Sequence, residues 1–271
     1  MALMALAGVA SAASVGYNSM TEAQKEGVAL AWDFSNGEVG LAAGSVDMGS
    51  DKWPSDNFSL TANNTATVGT SGTSPWSSRV TGMGTSFTLN IDVISINADT
   101  SYWPGDGNYQ AIYSLYSNGA DTYCFNCITL GFNREGKILL TTKGENDSGF
   151  GGGGDHTIDT GLYVSDIDNS TFTLVSDSTA ETLTLYIDGV KTGEVTDWKA
   201  SGDKSMNLTG FQFGSSFSEK NTAKGIEVSN ITVWNAALNS SSVGALIVPE
   251  PTTATLSLLA LAGLAARRRR K

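Results

Sequence analysis

The chain has 271 residues, of which 40% are hydrophobic and 9% aromatic, enough for one sizeable domain and too apolar for a disordered chain. Its 31 glycines and many Ser, Thr, Asn and Asp residues point to short strands joined by frequent turns. With Arg267, Arg268, Arg269, Arg270, Lys271 and Glu250 set aside, eleven bases face 26 acids, and the resulting body charge of −15 repels phosphate backbones and excludes nucleic acid as a partner. The same charge suits cations and neutral polymers.

The first element is apolar and runs from Met1 to Ala12, ending in Ala10-Ser11-Ala12, a small-x-small cleavage pattern. Residues 1–12 therefore read as the remnant of a signal peptide. They lack a basic n-region, so the translation start is expected upstream.

A succession of strands follows. Leu30 to Phe34 is a short strand before Ser-Asn-Gly. Phe87, Leu89, Ile91 and Val93 alternate onto one face, and Ile94 and Ile96 continue with flipped parity, which predicts a bulge. Gln110–Tyr116, Ile128–Asn133 and Lys137–Thr142 come next, the last two joined by a turn at Arg134-Glu-Gly136. After Phe172–Ser176, the run Thr182–Ile187 meets Asp188-Gly189, the strongest short hairpin signal, because both turn positions take positive φ. Phe211–Phe213 and Ile226–Trp234 complete the set, and only Asn239–Leu246 reads as helix. Residues 45–85 and 143–165 read as long irregular loops. The pattern predicts an all-β antiparallel sandwich over residues 13–247.

Three of these segments resemble one family. Leu183-Thr-Leu-Tyr-Ile-Asp-Gly-Val190 is similar to the central hairpin of LamG-like, concanavalin A-like jelly rolls. Ile226-Glu-Val-Ser-Asn-Ile-Thr-Val-Trp-Asn-Ala-Ala-Leu238 resembles their closing strand and the approach to its helix, and Ala31-Trp-Asp-Phe34 their opening strand. The Trp-His pair usual before the hairpin is absent, and Phe172–Val175 stands in its place. The resemblance implies a jelly roll whose rim loops bind glycan or protein, in some members with calcium.

Chemistry is sparse. Cys124-x-x-Cys127 lies outside any βαβ context and reads as a local disulfide or two free thiols. His156 is the single histidine, and no nucleophile elbow accompanies it. The paired-carboxylate strand of glucanases is not found. Glu145-Asn-Asp147 comes nearest, beside the loop glycines Gly151–Gly154. Asp155, Asp159, Asp166 and Asp168 cluster in sequence with Asn169, the oxygen-rich setting a calcium ion needs. Trp53, Trp76 and Trp103 sit next to prolines in polar stretches and are the candidate sugar platforms. Trp32 and Trp234 fall on strands and are assigned to the core.

The last element is Val248-Pro249-Glu250-Pro251, an apolar run from Ala254 to Ala266, and Arg267-Arg268-Arg269-Arg270-Lys271. The 15 residues Thr252–Ala266 make a helix of roughly 22 Å, marginal for a span of about 20 residues and suited to a transient anchor whose basic end stays cytoplasmic. The order of parts resembles the PEP-CTERM sorting signal. That resemblance implies an exosortase-type partner that cuts near Pro-Glu-Pro, transient residence in an inner membrane, and delivery to the envelope, surface or extracellular matrix of a Gram-negative-type bacterium. The functional expectation is a non-catalytic module binding glycans or envelope proteins. A structural matrix component and a divergent glycan-active hydrolase are the alternatives.

Overall fold

A computed structural model of the chain describes residues 12–38, 40–44, 46–47, 58–68, 78–80, 86–96, 109–117, 127–143, 156–196, 208–213 and 225–249. In chain order the first strands are β1 (Ala12–Ser14), β2 (Val28–Asp33), β3 (Leu41–Gly44), β4 (Val46–Asp47), β5 (Phe58–Leu60), β6 (Ala66–Val68) and β7 (Ser78–Val80). They are followed by β8 (Phe87–Ile96), β9 (Tyr109–Ser117), β10 (Cys127–Asn133), β11 (Lys137–Lys143), β12 (His156–Tyr163) and β13 (Ser170–Asp177). The last are β14 (Thr182–Ile187), β15 (Val190–Thr196), β16 (Leu208–Phe213), β17 (Ile226–Trp234) and β18 (Ile247–Pro249). Two short helices, α1 (Glu22–Lys25) and α2 (Ser240–Leu246), lie near the ends of this set.

The strands form two sheets, antiparallel as expected from the sequence apart from one parallel bridge between β1 and β13 at Ala12 and Ser170. One is ordered β15-β14-β13-β8-β17-β2-β3, with β1, β18, β5 and β6 attached; the other is β12-β11-β10-β9-β16-β7-β4. Their facing sides make one core: Leu89, Ile91 and Phe172 from the first sheet meet Leu130, Phe132 and Leu140 from the second. Along the β12/β15 side the sheets nearly touch. A methyl on Gly193 would lie 2.3 Å from Ile158 Cγ2, so only glycine fits there.

The expected bulge is present. Opposite β17, Ser95 pairs with Glu227 and Val93 with Val228, so Ile94 is left over. Asp188 and Gly189 have φ of 51° and 75°, the turn anticipated between β14 and β15. Asn239 caps α2, accepting a hydrogen bond from Ser242 N at 2.9 Å. Gly189 also meets β18: a Cβ there would approach Ile247 Cγ1 to 2.8 Å. Gly189→Ala therefore adds left-handed strain and a clash, and is expected to cost about 1–2 kcal/mol in a thermal or urea melt.

Two expectations need correction. Residues 143–165 are not all loop, because 156–163 form β12, an edge strand of the second sheet. His-Thr-Ile-Asp-Thr-Gly-Leu-Tyr buries only Ile158 and Thr160, too few apolar positions to register as strand. Within 45–85, the described residues include the short strands β4 to β7; they have two or three residues each, below the length at which alternation is readable. Val248 and Pro249, the start of the sequence-nominated tail, belong to β18 and pair with Ala13 and Ala12.

The outer side of the first sheet departs most from a simple sandwich. Alternation should expose Thr88, Asn90 and Asp92 of β8, yet they are 0–1% exposed. Thr171 and Thr173 of β13 and Asn230 and Thr232 of β17 are buried beside them. Residues near both ends of the described chain cover this polar plane. Asn90 Nδ2 donates to Ser14 Oγ (2.7 Å), Thr173 Oγ1 to Asn90 Oδ1 (2.7 Å), and Thr88 Oγ1 to the Ala236 carbonyl (2.8 Å). Trp234 packs with Met20 and Leu246 in a second small core, and its Nε1 donates to the Gln24 carbonyl (2.8 Å). Tyr186, Val175 and Val243 form a third. Trp32 and Trp234 are thus both buried, as expected, but on opposite faces of one sheet.

Candidate functional site

The outer face of the second sheet is built from the residues that alternate with the core positions of its strands. Ile128, Leu130, Phe132, Ile138, Leu140 and Ile158 enter the core. By alternation Thr129, Gly131, Lys137, Leu139, Thr141, Thr157 and Asp159 stand on the other side. Register joins them into rows across the strands. Thr157 stands opposite Thr141, Thr141 opposite Thr129, Thr129 opposite Ser114 and Ser114 opposite Gln212. Along this row Thr157 is exposed, Thr141 half-buried and Thr129 buried. The neighbouring row runs Asp159, Leu139, Gly131, Ala111. Gly131 and Ala111 leave little side chain beyond Leu139.

A polar edge borders these rows. Lys137 Nζ and Asp159 Oδ2 form an ion pair at 2.5 Å, and Tyr163, opposite Lys137 in register, is an exposed aromatic at 43%. The hydrogen bond from Lys137, helped by one from Gly161 N (3.0 Å), holds the Asp159 carboxyl below its usual range. The same hydrogen bond raises the Lys137 ammonium. Each charge is neutralised by the other, so the pair acts as a neutral hydrogen-bonding edge.

Of the sequence-nominated acids, Asp159, Asp166 and Asp168 lie within the described residues, each with its own local partner. Asp166 accepts from Tyr163 N (2.9 Å) and from Ser165 Oγ (3.3 Å), closing the turn after β12, and Asp168 accepts from Asn169 Nδ2 (3.4 Å). Among the described residues, no three His, Cys, Asp or Glu side chains gather as metal ligands. Asp155, Trp53, Trp76, Trp103, Cys124, Glu145 and Asp147 lie outside the described residues. His156 N donates to Thr142 Oγ1 (3.1 Å) within the β11/β12 ladder. Lys137, Leu139 and Thr141 escaped the sequence reading because their partners on β12, Tyr163 among them, come from the segment read as loop. Only the Thr157/Asp159 alternation carried a signal.

At the other end of the molecule, Ile247–Pro249 is paired to β1, and the chain continues into Glu250. Residues 248–271 match the PEP-CTERM protein-sorting motif. The chain thus carries this sorting motif, with Val248, Pro249, Glu250, Pro251 and Arg267–Arg270 at the expected positions. Among the described residues no helix is long and apolar enough to cross a membrane, and the expected anchor helix lies outside them.

The motif model covers the tail only; the domain before it is compared through solved structures. Domain 4 of AbnA, an extracellular GH43 arabinanase from Geobacillus stearothermophilus solved with arabinotriose, superposes with a TM-score of 0.53 at 14% identity, over 82% of this chain and 99% of that one. The CBM40 of Ruminococcus gnavus IT-sialidase, bound to α2,3-sialyllactose, gives 0.43 at 12%, over 60% and 83%. The NanB sialidase from Streptococcus pneumoniae gives 0.45 at 18%, and the match spans a quarter of its length and 62% of this chain. At 14% identity the likeness to the arabinanase domain is one of fold, a β-sandwich. No curated protein matches the chain in sequence.

Proposed function

We propose that this is an exported envelope or matrix protein whose β-sandwich binds a neutral glycan on the outer face of the second sheet, without catalysis. The neighbouring hydroxyls of exposed Thr157 and half-buried Thr141, beside the Lys137–Asp159 ion pair and exposed Tyr163, carry this reading. Sugars present hydroxyls at short intervals, and side-chain hydroxyls can both donate to and accept from them. Tyr163 at the border supplies a ring for an apolar sugar face. The body charge of −15, and a lysine on this face already paired to Asp159, disfavour an anionic sugar. The arabinanase domain of similar fold, solved with arabinotriose, supports the choice of a neutral oligosaccharide. The PEP-CTERM tail supports export, passage through an exosortase-type enzyme and a transient membrane stage.

The test is a glycan array probed with the purified domain, in calcium and then in EDTA. Saturable binding of neutral oligosaccharides is expected. Loss in EDTA would place calcium in the site, with Asp155, Asp159, Asp166 and Asp168 as the residues to substitute. Leu139→Arg sets a long cation between Gly131 and Asp159 without entering the core. It is expected to weaken binding about tenfold or more while leaving the melting temperature near that of the wild type. Binding unchanged by Leu139→Arg would move the site off this face. No binding in either condition would favour a structural matrix role.

A further inference from the structure

We infer that the folded domain withholds the start of its own sorting motif, so that the sorting enzyme cuts beyond Pro249. The inference rests on the sorting reading of residues 248–271. Its physical basis is the position of β1. On one edge, Val15 N donates to the Leu246 carbonyl (2.8 Å), and β1 and β18 pair in register, Ser14 with Ile247, Ala13 with Val248 and Ala12 with Pro249. On the other edge, Ser14 N donates to Asp92 Oδ2 (2.9 Å). Asp92 is itself fixed in the sheet by Thr171 Oγ1 (2.7 Å) and Asn230 Nδ2 (2.5 Å). Ser14 Oγ adds bonds with Asn90 Nδ2 (2.7 Å) and Asn230 Oδ1 (3.2 Å).

The first two residues of the motif are therefore the outer strand of a pair whose inner strand is latched to the sheet by a buried carboxylate. A protease takes its substrate as an extended, unpaired segment, so peptide bonds inside a paired strand become available only when the strand opens. The bonds joining 246 to 249 are held closed in the folded domain. The C–N bond that breaks must be the one after Pro249 or a later one. Its acyl carbon passes to water or an acceptor amine, and the departing nitrogen takes the proton. The mature domain then keeps β18 and its cover intact.

Two measurements test this. In the exporting cell, the intact mass of the mature protein should place its last residue at Pro249 or later. A terminus at Val248 or earlier overturns the inference, while a chain that keeps its whole tail refutes the sorting reading and leaves the latch to the second measurement. That one uses thermolysin, which cuts on the amino side of large apolar residues, on the purified full chain in mild detergent. The leucines of 254–266 should be cut while the bonds before Ile247 and Val248 survive. Ser14→Pro removes the N–H held by Asp92, and Ala13→Pro disrupts the β1/β18 pairing directly. Each should speed cleavage before Val248 about tenfold, with fragments from the core strands staying intact. Should Ser14→Pro release core fragments as well, Ala13→Pro decides alone. Cleavage before Val248 in the wild type as fast as in the tail, or no acceleration in Ala13→Pro, overturns the latch.

Discussion

Asp92→Ala is expected to lower stability by about 3 kcal/mol or more, read as a fall in urea midpoint at unchanged slope. The side chain is 1% exposed and accepts from Ser14 N, Thr171 Oγ1 and Asn230 Nδ2. Alanine leaves three buried donors without an acceptor, each costing about 1–3 kcal/mol before relaxation. Asp92→Asn should be far milder. Its amide oxygen can serve Ser14 and Asn230, and the Thr171 hydroxyl can turn to accept from its NH2. The pair of variants also separates charge from hydrogen bonding. Burial raises the Asp92 carboxyl above its usual range, outweighing the donors around it. Asp188 is raised too, first by burial and then by the Asp92 charge. An acid raised in the folded state contributes stability that is complete below its unfolded pKa and is lost as pH rises through the folded one. Wild type should therefore lose ground to Asp92→Asn as pH climbs from about 4 towards 7. A gap between the two midpoints that does not change with pH would mean that Asp92 carries no titration cost.

Trp234→Ala should be of similar size, about 3–5 kcal/mol, by the removal of a fully buried indole. Its location gives the loss a recognisable form. Trp234 lies on a central strand but faces away from the main core, filling the space between the sheet and Met20, Tyr17 and Leu246. The cover should loosen before the sandwich does. Hydrogen exchange is expected to quicken first in residues 12–25 and 240–249, while β8 and β13 keep their protection. Trp234→Phe keeps most of the packing but leaves the Gln24 carbonyl without its 2.8 Å partner, and should cost about 1–2 kcal/mol. Uniform loss of protection across both sheets would show that cover and sandwich unfold as one unit.

Much of the fold was legible along the chain because its signals are local. Asp188-Gly189 dictates its turn by backbone sterics, Asn239 caps its helix two to three residues away, and the parity flip at Ile94 announces a bulge. The alternation of Phe87, Leu89, Ile91 and Val93 named the core face of β8 correctly. The same alternation misreads the other face. Thr88, Asn90 and Asp92 look solvent-facing in sequence, and they are buried because residues as distant as Ser14 and Ala236 lie over them.

The face proposed for binding was not legible in the sequence for a related reason. Its polar row is assembled from β12, β11, β10, β9 and β16, each giving one residue whose neighbours are set by register alone. No spacing along the chain reports such a row, and the edge strand that begins it buries too little apolar surface to be recognised.

The sequence by itself determined the alternating strands, the tight turn and the sorting motif at residues 248–271, since each depends on residues a few positions apart. Only the tertiary structure decided which polar residues are buried, which residues share the outer face of the second sheet, and that the motif begins inside a paired strand. Those depend on long-range pairing, where hydrogen bonds between distant residues outweigh what any short stretch prefers.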